Sequence, residues 1–268
     1  MYSRLNSPMP SRVSVIVPYL NEEEGLPRLS AKLTELRRQL TSAYELEIVL
    51  VDDGSRNPNP ELLNRCFGSQ PNVVRVAHDR NRGLGAALRT GMQHTSGDIV
   101  CMLDADCTYE PVGVLKLLEA LEGNSADIAL GSPYHPQGGV ENAQPWRLFI
   151  SKFASRLYAQ VCSMKLYTYT SMMRAYRRPV LEGLEFESNG FVAVTEILLR
   201  ALQRGARVVE VPLVLRSRVS GVSKMKVMHT TLAHLRLMLK ALGWRLSQTR
   251  PAVKSLSKPM PVKEEVTS

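Results

Sequence analysis

The sequence predicts an α/β protein in which helices flank a mostly parallel β-sheet. Short runs rich in valine and isoleucine alternate with segments whose leucines recur at helical spacing. This alternation is typical of parallel strands joined by crossover helices. The chain has 268 residues, of which 44% are hydrophobic, so it is long enough for one large α/β domain with a packed core.

The predicted elements follow in chain order. Strands are predicted at residues 13–17, 47–51, 73–77 and 98–103, and helices at residues 26–40 and 85–94. The second half predicts a loop rich in glycine and proline at 133–145, helices at 146–161, 191–204 and 228–246, and a strand at 207–215. The polar segments 1–12 and 247–268 are predicted to be flexible. We expect neither a signal peptide nor a transmembrane helix, because no apolar run is long enough.

Three of the four strands in the first half end in polar or acidic loops. These loops are Pro18-Tyr19-Leu20-Asn21-Glu22, Asp52-Asp53-Gly54-Ser55 and Asp104-Ala105-Asp106. The carboxyl ends of parallel strands meet at one edge of a sheet, which is where ligands of such sheets bind. The three loops are therefore predicted to form one site.

Asp104 and Asp106 are candidate metal ligands. They are separated by one residue at the end of a strand, so both carboxylates can point to one side and hold a divalent cation. Such a cation can bridge diphosphate oxygens and stabilise a leaving nucleotide. Taken alone, a D-x-D is more often a polar turn, and the acids at 52–53 can likewise either accept hydrogen bonds from a ribose or base or cap the next helix.

A glycine-containing turn, Asn81-Arg82-Gly83-Leu84-Gly85, precedes the helix predicted at 85–94. It lacks the G-x-G-x-x-G spacing of dinucleotide-binding proteins. We interpret it as a packing turn, with Arg82 available to a phosphate near the helix N-terminus.

Charge and composition limit the partners. The formal net charge of +9 favours nucleic acid, anionic lipid or phosphorylated substrates. A nucleic-acid-binding protein is disfavoured, because aromatic residues make up 6% of the chain and no recognisable nucleic-acid module is present. The four cysteines form no CxxC pair, which favours a reducing cytosol, and Cys101 and Cys107 are predicted to be buried thiols. The five histidines are interpreted as surface or loop residues: His78, His94, His135, His229 and His234.

The order of these motifs resembles the family-2 glycosyltransferases, and further segments extend the resemblance. Thr170 to Arg178 is similar to the family's T-S-G-F-R-A-Y-R-R segment, and Ser188-Asn189-Gly190-Phe191 followed by Glu196 is similar to S-N-G-F…E. Glu210-Val211-Pro212 is similar to E-V-P, and Arg218 to Lys224 is similar to R-x-x-G-x-S-K. These last segments resemble the dolichyl- and polyprenyl-phosphate sugar synthases in particular. The resemblance covers approximately residues 13–224.

The resemblance implies a Rossmann-like GT-A domain at residues 13–225 with an acceptor-side C-terminal extension. It implies that a GDP- or UDP-linked sugar is bound by Pro18, Tyr19, Asn21, Glu22, Asp52, Asp53, Gly83 and Ala105. It implies that Asp104 and Asp106 hold Mg²⁺ or Mn²⁺ and act in catalysis together with Arg218, Lys224 and Glu196. The residues implied to bind the acceptor are Arg147, Arg174 and Ser223.

The implied reaction is an inverting transfer of a hexose to a polyprenyl or dolichyl phosphate. The alternative acceptor is a sugar or another hydroxyl group. A lipid phosphate is already anionic, whereas a hydroxyl needs a general base, for which Glu196 is the nearest candidate. Glu196 is at least equally well interpreted as a helix residue paired with an arginine. The chain also departs from the lipid-phosphate enzymes: Pro133 stands where their G-S-R-Y segment has an arginine, and Thr168 and Met172 replace an acid and a glycine.

Residues 226–246 are predicted to form an amphipathic helix. Its apolar stripe consists of Met228, Leu232, Leu235, Leu239, Leu242 and Leu246. The basic or titratable residues off the stripe are Lys226, His229, His234, Arg236, Lys240 and Arg245. With Trp244 near its end, this composition predicts a helix that lies on the cytoplasmic face of a membrane. Packing on its own domain, on a partner subunit or on a membrane partner protein is the alternative.

Overall fold

A computed structural model describes residues 11–40, 42–142, 144–162, 164–216 and 227–247 of the chain. The strands are β1 (Ser11–Tyr19), β2 (Tyr44–Asp52), β3 (Val73–Ala77), β4 (Ile99–Met102), β5 (Ile128–Ser132), β6 (Gly139–Glu141), β7 (Arg174–Arg177), β8 (Val208–Pro212) and β9 (Val214–Arg216). The helices are α1 (Leu26–Gln39), α2 (Pro60–Phe67), α3 (Leu84–Gln93), α4 (Gly113–Gly123), α5 (Pro145–Cys162), α6 (Arg178–Leu181), α7 (Ala193–Gln203) and α8 (Val227–Ser247).

Seven strands form one sheet in the order β3-β2-β1-β4-β7-β5-β8. Strand β7 runs antiparallel to both of its neighbours, β4 and β5, whereas all other pairs in the sheet are parallel. Strands β6 and β9 form a separate parallel pair. The predicted α/β class with a mostly parallel sheet is therefore confirmed.

Helices cover both faces of the seven-stranded sheet and create two apolar cores. Leucines 26, 29, 33 and 36 of α1 recur at helical spacing and pack with α2 and α4 on one face. On the other face, α3, α5, α7 and α8 pack around buried residues such as Tyr158, Ile197 and Leu237. Both faces of the central strands are buried, which explains their nearly continuous apolar sequences.

The first-half strands and helices lie within a few residues of their predicted positions, and β3 occupies the predicted residues 73–77. The predicted flexible segment 1–12 is too long, since Ser11 and Arg12 pair with Tyr44 and Glu45 of β2. Residues 1–10 and 248–268 lie outside the described part of the chain. Helices α2, α4 and α6 and strands β5 and β7 were not predicted, and the predicted loop at 133–145 contains β6.

The single strand predicted at 207–215 is wrong. Strand β8 ends at Pro212 beside β5, whereas β9 starts at Val214 and pairs with β6. Proline has no amide hydrogen to continue a ladder, so the chain leaves the large sheet at this point. Leu213 makes the transition: its N–H donates to the Ser132 carbonyl at 3.3 Å, and its carbonyl accepts from the Gly139 N–H at 3.2 Å.

Within the described ranges, every helix is too short or too polar to cross a bilayer. This agrees with the expectation from the sequence for those residues.

Candidate functional site

The loops that follow β1 and β2 are tied together at the carboxyl edge of the sheet. The Asp53 N–H donates to the Tyr19 carbonyl at 2.9 Å. The Asn21 N–H donates to Ser55 Oγ at 2.8 Å, and Asn21 Oδ1 accepts the Arg56 N–H at 2.7 Å. Asn21 has a positive φ of 45°, a conformation that asparagine tolerates better than most residues. These bonds hold the two loops in one arrangement, as predicted from the sheet edge.

Between these loops, the turn before α3 and the acidic loop after β4 is a cavity of about 240 Å³, which we call the loop cavity. The residues predicted to bind the donor that line it are Pro18, Tyr19, Glu22, Asp53, Gly83 and Ala105, and Asp104 and Asp106 line it as well. Two predicted donor residues do not line the cavity. Asn21 instead bonds to Ser55 and Arg56, which links the loops that follow β1 and β2. Asp52 Oδ1 accepts the Ser55 N–H at 2.8 Å, so Asp52 closes a turn within its own loop.

Asp53 is buried and its carboxylate organises the loop cavity. Its Oδ1 accepts the Arg82 N–H at 3.0 Å, and its Oδ2 accepts the Gly83 N–H at 2.8 Å. Oδ1 also lies 2.8 Å from Nδ1 of His78. Asp53 thus fixes the glycine turn before α3 while remaining part of the cavity wall.

The glycine turn packs against the loop at residues 185–190. Gly83 has a φ of +94°, and a Cβ added there would collide with the Asn189 carbonyl. A Cβ at Gly85 would collide with the Ser188 carbonyl and lie 2.7 Å from the Ala193 Cβ. The interpretation as a packing turn is therefore confirmed. Arg82 is ion-paired with Asp79 at 2.7 Å on the surface, so its guanidinium already has an anionic partner.

Asp104 and Asp106 both face the loop cavity from the loop after β4. Asp106 Oδ1 also accepts the Thr108 N–H at 3.0 Å, which fixes that carboxylate. In the described part of the chain no three His, Cys, Asp or Glu side chains gather in a way that could hold a metal ion. The protein could therefore offer two hard oxygen ligands here, and a bound diphosphate would have to complete the coordination of a cation such as Mg²⁺ or Mn²⁺.

A second cavity of about 260 Å³ adjoins the first, and we call it the helix cavity because α5 and α8 form part of its wall. Its wall is largely apolar, with hydroxyl groups from Thr108, Tyr109, Tyr134, Ser151, Thr168, Thr170, Ser171, Thr230 and Thr231. Leu84, Asp104 and Phe191 line both cavities. Asp104 therefore stands where the two spaces meet.

The helix cavity contains titratable groups held in their neutral forms. Burial raises the pKa of the Tyr109 hydroxyl, and the nearby Asp104 carboxylate raises it further. Burial lowers the pKa of the His234 imidazole to about 4. His234 Nδ1 lies 2.9 Å from the Tyr158 hydroxyl, which joins α8 to α5.

The prediction that Arg174 binds the acceptor is wrong. The side chain is fully buried in β7, where Nη2 donates to the Tyr169 carbonyl at 2.6 Å and Nη1 donates to the Tyr176 hydroxyl and the Val194 carbonyl. Arg174 instead ties β7 to α7 and to the segment before β7. Arg147 lies in α5, but its side chain is outside the described part. Arg218, Ser223 and Lys224 also lie outside the described residues.

Glu196 lines neither cavity. It is buried in α7, and its carboxylate accepts the backbone N–H groups of Glu187 at 3.2 Å and Ser188 at 2.9 Å. The guanidinium of Arg200 lies 3.6 Å away. This is the structural alternative considered from the sequence, and the position does not suit a general base.

Sequence reasoning missed that two histidines are partly or wholly withdrawn from solvent. His78 and His234 were interpreted as surface or loop residues, whereas His78 has a side chain that is 5% exposed and His234 lines the helix cavity. His78 directly follows β3, so the rule that strand ends meet at one edge could have identified it. The predicted burial of Cys101 and Cys107 is confirmed, and burial raises the pKa of their thiols to about 12 and about 11.

Comparison with known proteins gives consistent matches. The profile of the family described as Glycosyl transferase family 2 matches residues 14–184. The chain is 32% identical over 251 residues to the polyprenol monophosphomannose synthase of Mycolicibacterium smegmatis, a match that covers 91% of this chain and 92% of that protein. It is 34% identical over 236 residues to the dolichol-phosphate mannosyltransferase of Pyrococcus furiosus, covering 87% of this chain and 64% of that protein.

Solved structures confirm the predicted GT-A type of fold. The glucosyl-3-phosphoglycerate synthase from Mycobacterium tuberculosis, solved with Mn²⁺, UDP-glucose and phosphoglyceric acid, superposes with a TM-score of 0.66. The match covers 87% of this chain and 80% of that one at 19% identity. At this level of identity the likeness concerns the arrangement of strands and helices.

Proposed function

This chain belongs to glycosyl transferase family 2, and we propose that it transfers a hexose from a nucleoside diphosphate to the phosphate of a polyprenyl or dolichyl lipid. The observation that carries this proposal is the position of Asp104, which lines both the loop cavity and the helix cavity. Two substrates in adjoining cavities would bring their reacting groups together at Asp104, which lowers the barrier by proximity. A single displacement at this point inverts the sugar's anomeric configuration.

The loop cavity suits the nucleotide sugar. Tyr19 and Asp53 would offer an aromatic ring and a carboxylate to a base and ribose, and Asp104 and Asp106, which line the same cavity, would hold Mg²⁺ or Mn²⁺ against the diphosphate. A bound divalent cation stabilises the negative charge that develops on the leaving nucleoside diphosphate. We propose a GDP- or UDP-linked sugar as the donor.

The helix cavity suits an acceptor that brings its own nucleophile. Apart from Asp104, the only titratable groups among the described residues of its wall are tyrosines and His234, and burial lowers the pKa of His234 to about 4. A sugar hydroxyl would need a base, whereas a lipid phosphate is anionic at neutral pH. Both relatives named above are lipid-phosphate enzymes by name. Arg218 and Lys224 stay our predicted partners of the phosphates.

The surface of α5 and α8 suits a lipid bilayer. Leu232, Leu235, Leu239 and Leu242 of the predicted stripe are exposed, and α8 packs on the protein through Leu237, Met238 and Ala241 instead. On the neighbouring α5, Phe149 and Phe153 are 70% and 53% exposed. Lys152, Arg156, Arg236 and Lys240 are exposed on the same two helices. We propose that this surface docks on the cytoplasmic face of a membrane and gives a lipid-linked acceptor access to the helix cavity.

The decisive experiment tests acceptor and donor together. Purified protein with Mn²⁺ or Mg²⁺ is incubated with GDP- and UDP-linked hexoses and liposomes that contain polyprenyl phosphate. We expect a glycosylated lipid phosphate from one nucleotide class, and no product with the matched polyprenol that lacks the phosphate. Transfer to sugar hydroxyls without transfer to polyprenyl phosphate would instead establish the alternative acceptor.

A further inference from the structure

His78 is a buried polar residue beside the loop cavity. It has no part in the reaction proposed above. It follows β3, and its side chain is 5% exposed. Its Nδ1 lies 2.8 Å from Asp53 Oδ1, and its Nε2 lies 2.9 Å from Thr90 Oγ1 on α3. With both ring nitrogens bonded, the imidazole has a fixed orientation.

The hydrogen bonds of Asp53 determine what His78 can do. Both carboxylate oxygens accept backbone N–H groups, Oδ1 from Arg82 and Oδ2 from Gly83. Toward His78 the carboxylate therefore also accepts, and Nδ1 carries the proton. Among the described residues, Oδ1 then has two donors, which uses its two lone pairs, whereas Oδ2 has one donor and keeps one acceptor site.

Because Asp53 lines the loop cavity, its remaining acceptor site is available to a ligand there. We infer that His78 is a positioning residue for nucleoside-diphosphate binding, acting through Asp53. It occupies Oδ1 and fixes the carboxylate plane, so that Oδ2 is held ready for an N–H or O–H of the base or ribose. Thr90 holds the imidazole from α3, and a preorganised acceptor of this kind raises affinity because less freedom is lost on binding.

This inference rests on the proposed function. Two isosteric substitutions separate the bond from His78 to Asp53 from the bond to Thr90. His78→Asn keeps an N–H close to the position of Nδ1 and loses the contact with Thr90. His78→Gln carries its amide close to the position of Nε2 and loses the bond to Asp53. His94→Gln is the matched control, since it makes the same chemical change at an exposed residue outside the cavity.

Isothermal titration calorimetry measures the Kd of the protein for UDP and for GDP in the presence of Mn²⁺. Steady-state kinetics then give the donor KM and kcat of transfer. We expect His78→Gln to weaken the Kd of the preferred nucleotide about tenfold and to raise the donor KM equally, with kcat unchanged. His78→Asn should retain most of the wild-type affinity for the nucleotide, and His94→Gln should bind the nucleotide with the Kd of the wild type. A purely structural role would instead lower the melting temperature and the active fraction without changing Kd.

The outcomes distinguish this inference from the proposed function. Wild-type protein that binds neither UDP nor GDP would overturn both. If the wild type binds one of them, an unchanged Kd in His78→Gln overturns the inference alone, and so does an equal loss in His78→Asn and His78→Gln. Should His78→Gln fail to fold, His78→Phe keeps a ring at this position and removes the Nδ1 donor to Asp53, and an unchanged Kd in that variant overturns the inference.

Discussion

Asp104 is the residue at which both substrates would meet, and its carboxylate gives the most direct test of the metal. Asp104→Asn keeps the shape of the side chain and removes the charge that would hold a divalent cation. We expect transfer to fall more than about a hundredfold, with an unchanged melting temperature. The measurement is lipid-product formation across a range of Mn²⁺ concentrations.

The matched control for Asp104 is Asp79→Asn, an equal change at an acid that is ion-paired on the surface. It should retain wild-type turnover. Full activity of Asp104→Asn in protein treated with a chelator would contradict a metal at this position.

Glu196 gives a second prediction, because the structure assigns its carboxylate to two backbone amides rather than to a cavity. Glu196→Ala removes the carboxylate that accepts the N–H groups of Glu187 and Ser188, so we expect the free energy of unfolding to fall by about 1–3 kcal/mol. Urea denaturation measures this loss. Glu196→Gln keeps an acceptor oxygen and should retain kcat within a few-fold, whereas loss of a general base would lower kcat about 10²- to 10⁴-fold.

The imidazole of His234 makes stability depend on pH. Its pKa falls from 6.5 to about 4 on burial, so between these values the unfolded chain binds a proton that the folded chain does not. The contribution of neutral His234 to the free energy of unfolding is therefore fully present above about pH 6.5. It decreases as the pH falls toward 4, by at most about 1.4 kcal/mol per pH unit. Urea denaturation of the wild type and of His234→Asn from pH 7.5 to 5 should give free energies of unfolding whose difference changes as the pH falls, because only the wild type loses this contribution.

The same comparison with Gln93→Asn, which changes no titratable group at an exposed site, should give parallel curves. Parallel curves for His234→Asn as well would show that His234 is not buried in the folded protein. The contributions of other groups cancel in each difference, because both variants share them with the wild type.

At the residue scale, the sequence predicts which loops form the site but not the partner of each carboxylate. Asp52 and Asp53 are adjacent, yet Asp52 closes a turn and Asp53 binds amides about thirty residues further along the chain. These partners depend on how the turn before α3 docks beside β2, which local pattern does not encode. The same holds for Arg174, whose burial follows from the position of β7 inside the sheet.

At the scale of elements, the contact between the glycine turn and the loop at 185–190 holds the loop cavity in shape. The Gly85 N–H donates to the Asn189 carbonyl at 2.7 Å, and there is no room for a Cβ. We expect Gly85→Ala to lower the free energy of unfolding by about 1–3 kcal/mol through overpacking and to weaken nucleotide binding. Urea denaturation and isothermal titration measure the two effects.

Gly123→Ala is the matched control, since Gly123 lies at the end of α4 with nothing within 4 Å of an added Cβ. It should be neutral or stabilise by up to about 1 kcal/mol, because alanine favours the helix. If Gly85→Ala were equally neutral, the close packing of the turn on residues 185–190 would be wrong.

The elements that sequence reasoning missed carried recognisable signals. Helix α2 starts with Pro60 after Asn59, whose side chain accepts the Leu62 N–H at 2.9 Å, which is an ordinary N-cap. Helix α4 has buried residues at 114, 117, 118 and 121, at helical spacing. The division between β8 and β9 is different in kind: Pro212 hints at it, but only the pairing with β6 explains why the chain changes sheets.

At the scale of the whole molecule, one end of the fold combines three features that act together in the proposed reaction. The loop cavity adjoins the helix cavity, and the helix cavity adjoins the exposed apolar residues of α5 and α8. Trp146 and Ile150 of α5 form the second connection, because both are exposed and both line the helix cavity. The sequence predicted the first through its strand-end loops and the third through the stripe on α8. It did not predict the second, because its wall is drawn from segments far apart in the chain.

The last prediction tests whether this surface binds lipid. Leu235 and Leu239 of α8 are 48% and 71% exposed, so replacing both with glutamate should leave the fold intact. Each buried leucine is worth about 1.5–3 kcal/mol, and added negative charge is repelled by anionic headgroups. We expect flotation with anionic liposomes and transfer to polyprenyl phosphate in those liposomes to fall more than about tenfold, while nucleotide binding is unchanged.

Gln93→Glu combined with Gln137→Glu adds the same charge at exposed sites on other elements and should float like the wild type. If the double leucine variant floats normally but changes from dimer to monomer in light scattering, the surface is an interface between two copies of the chain, and the membrane role is wrong.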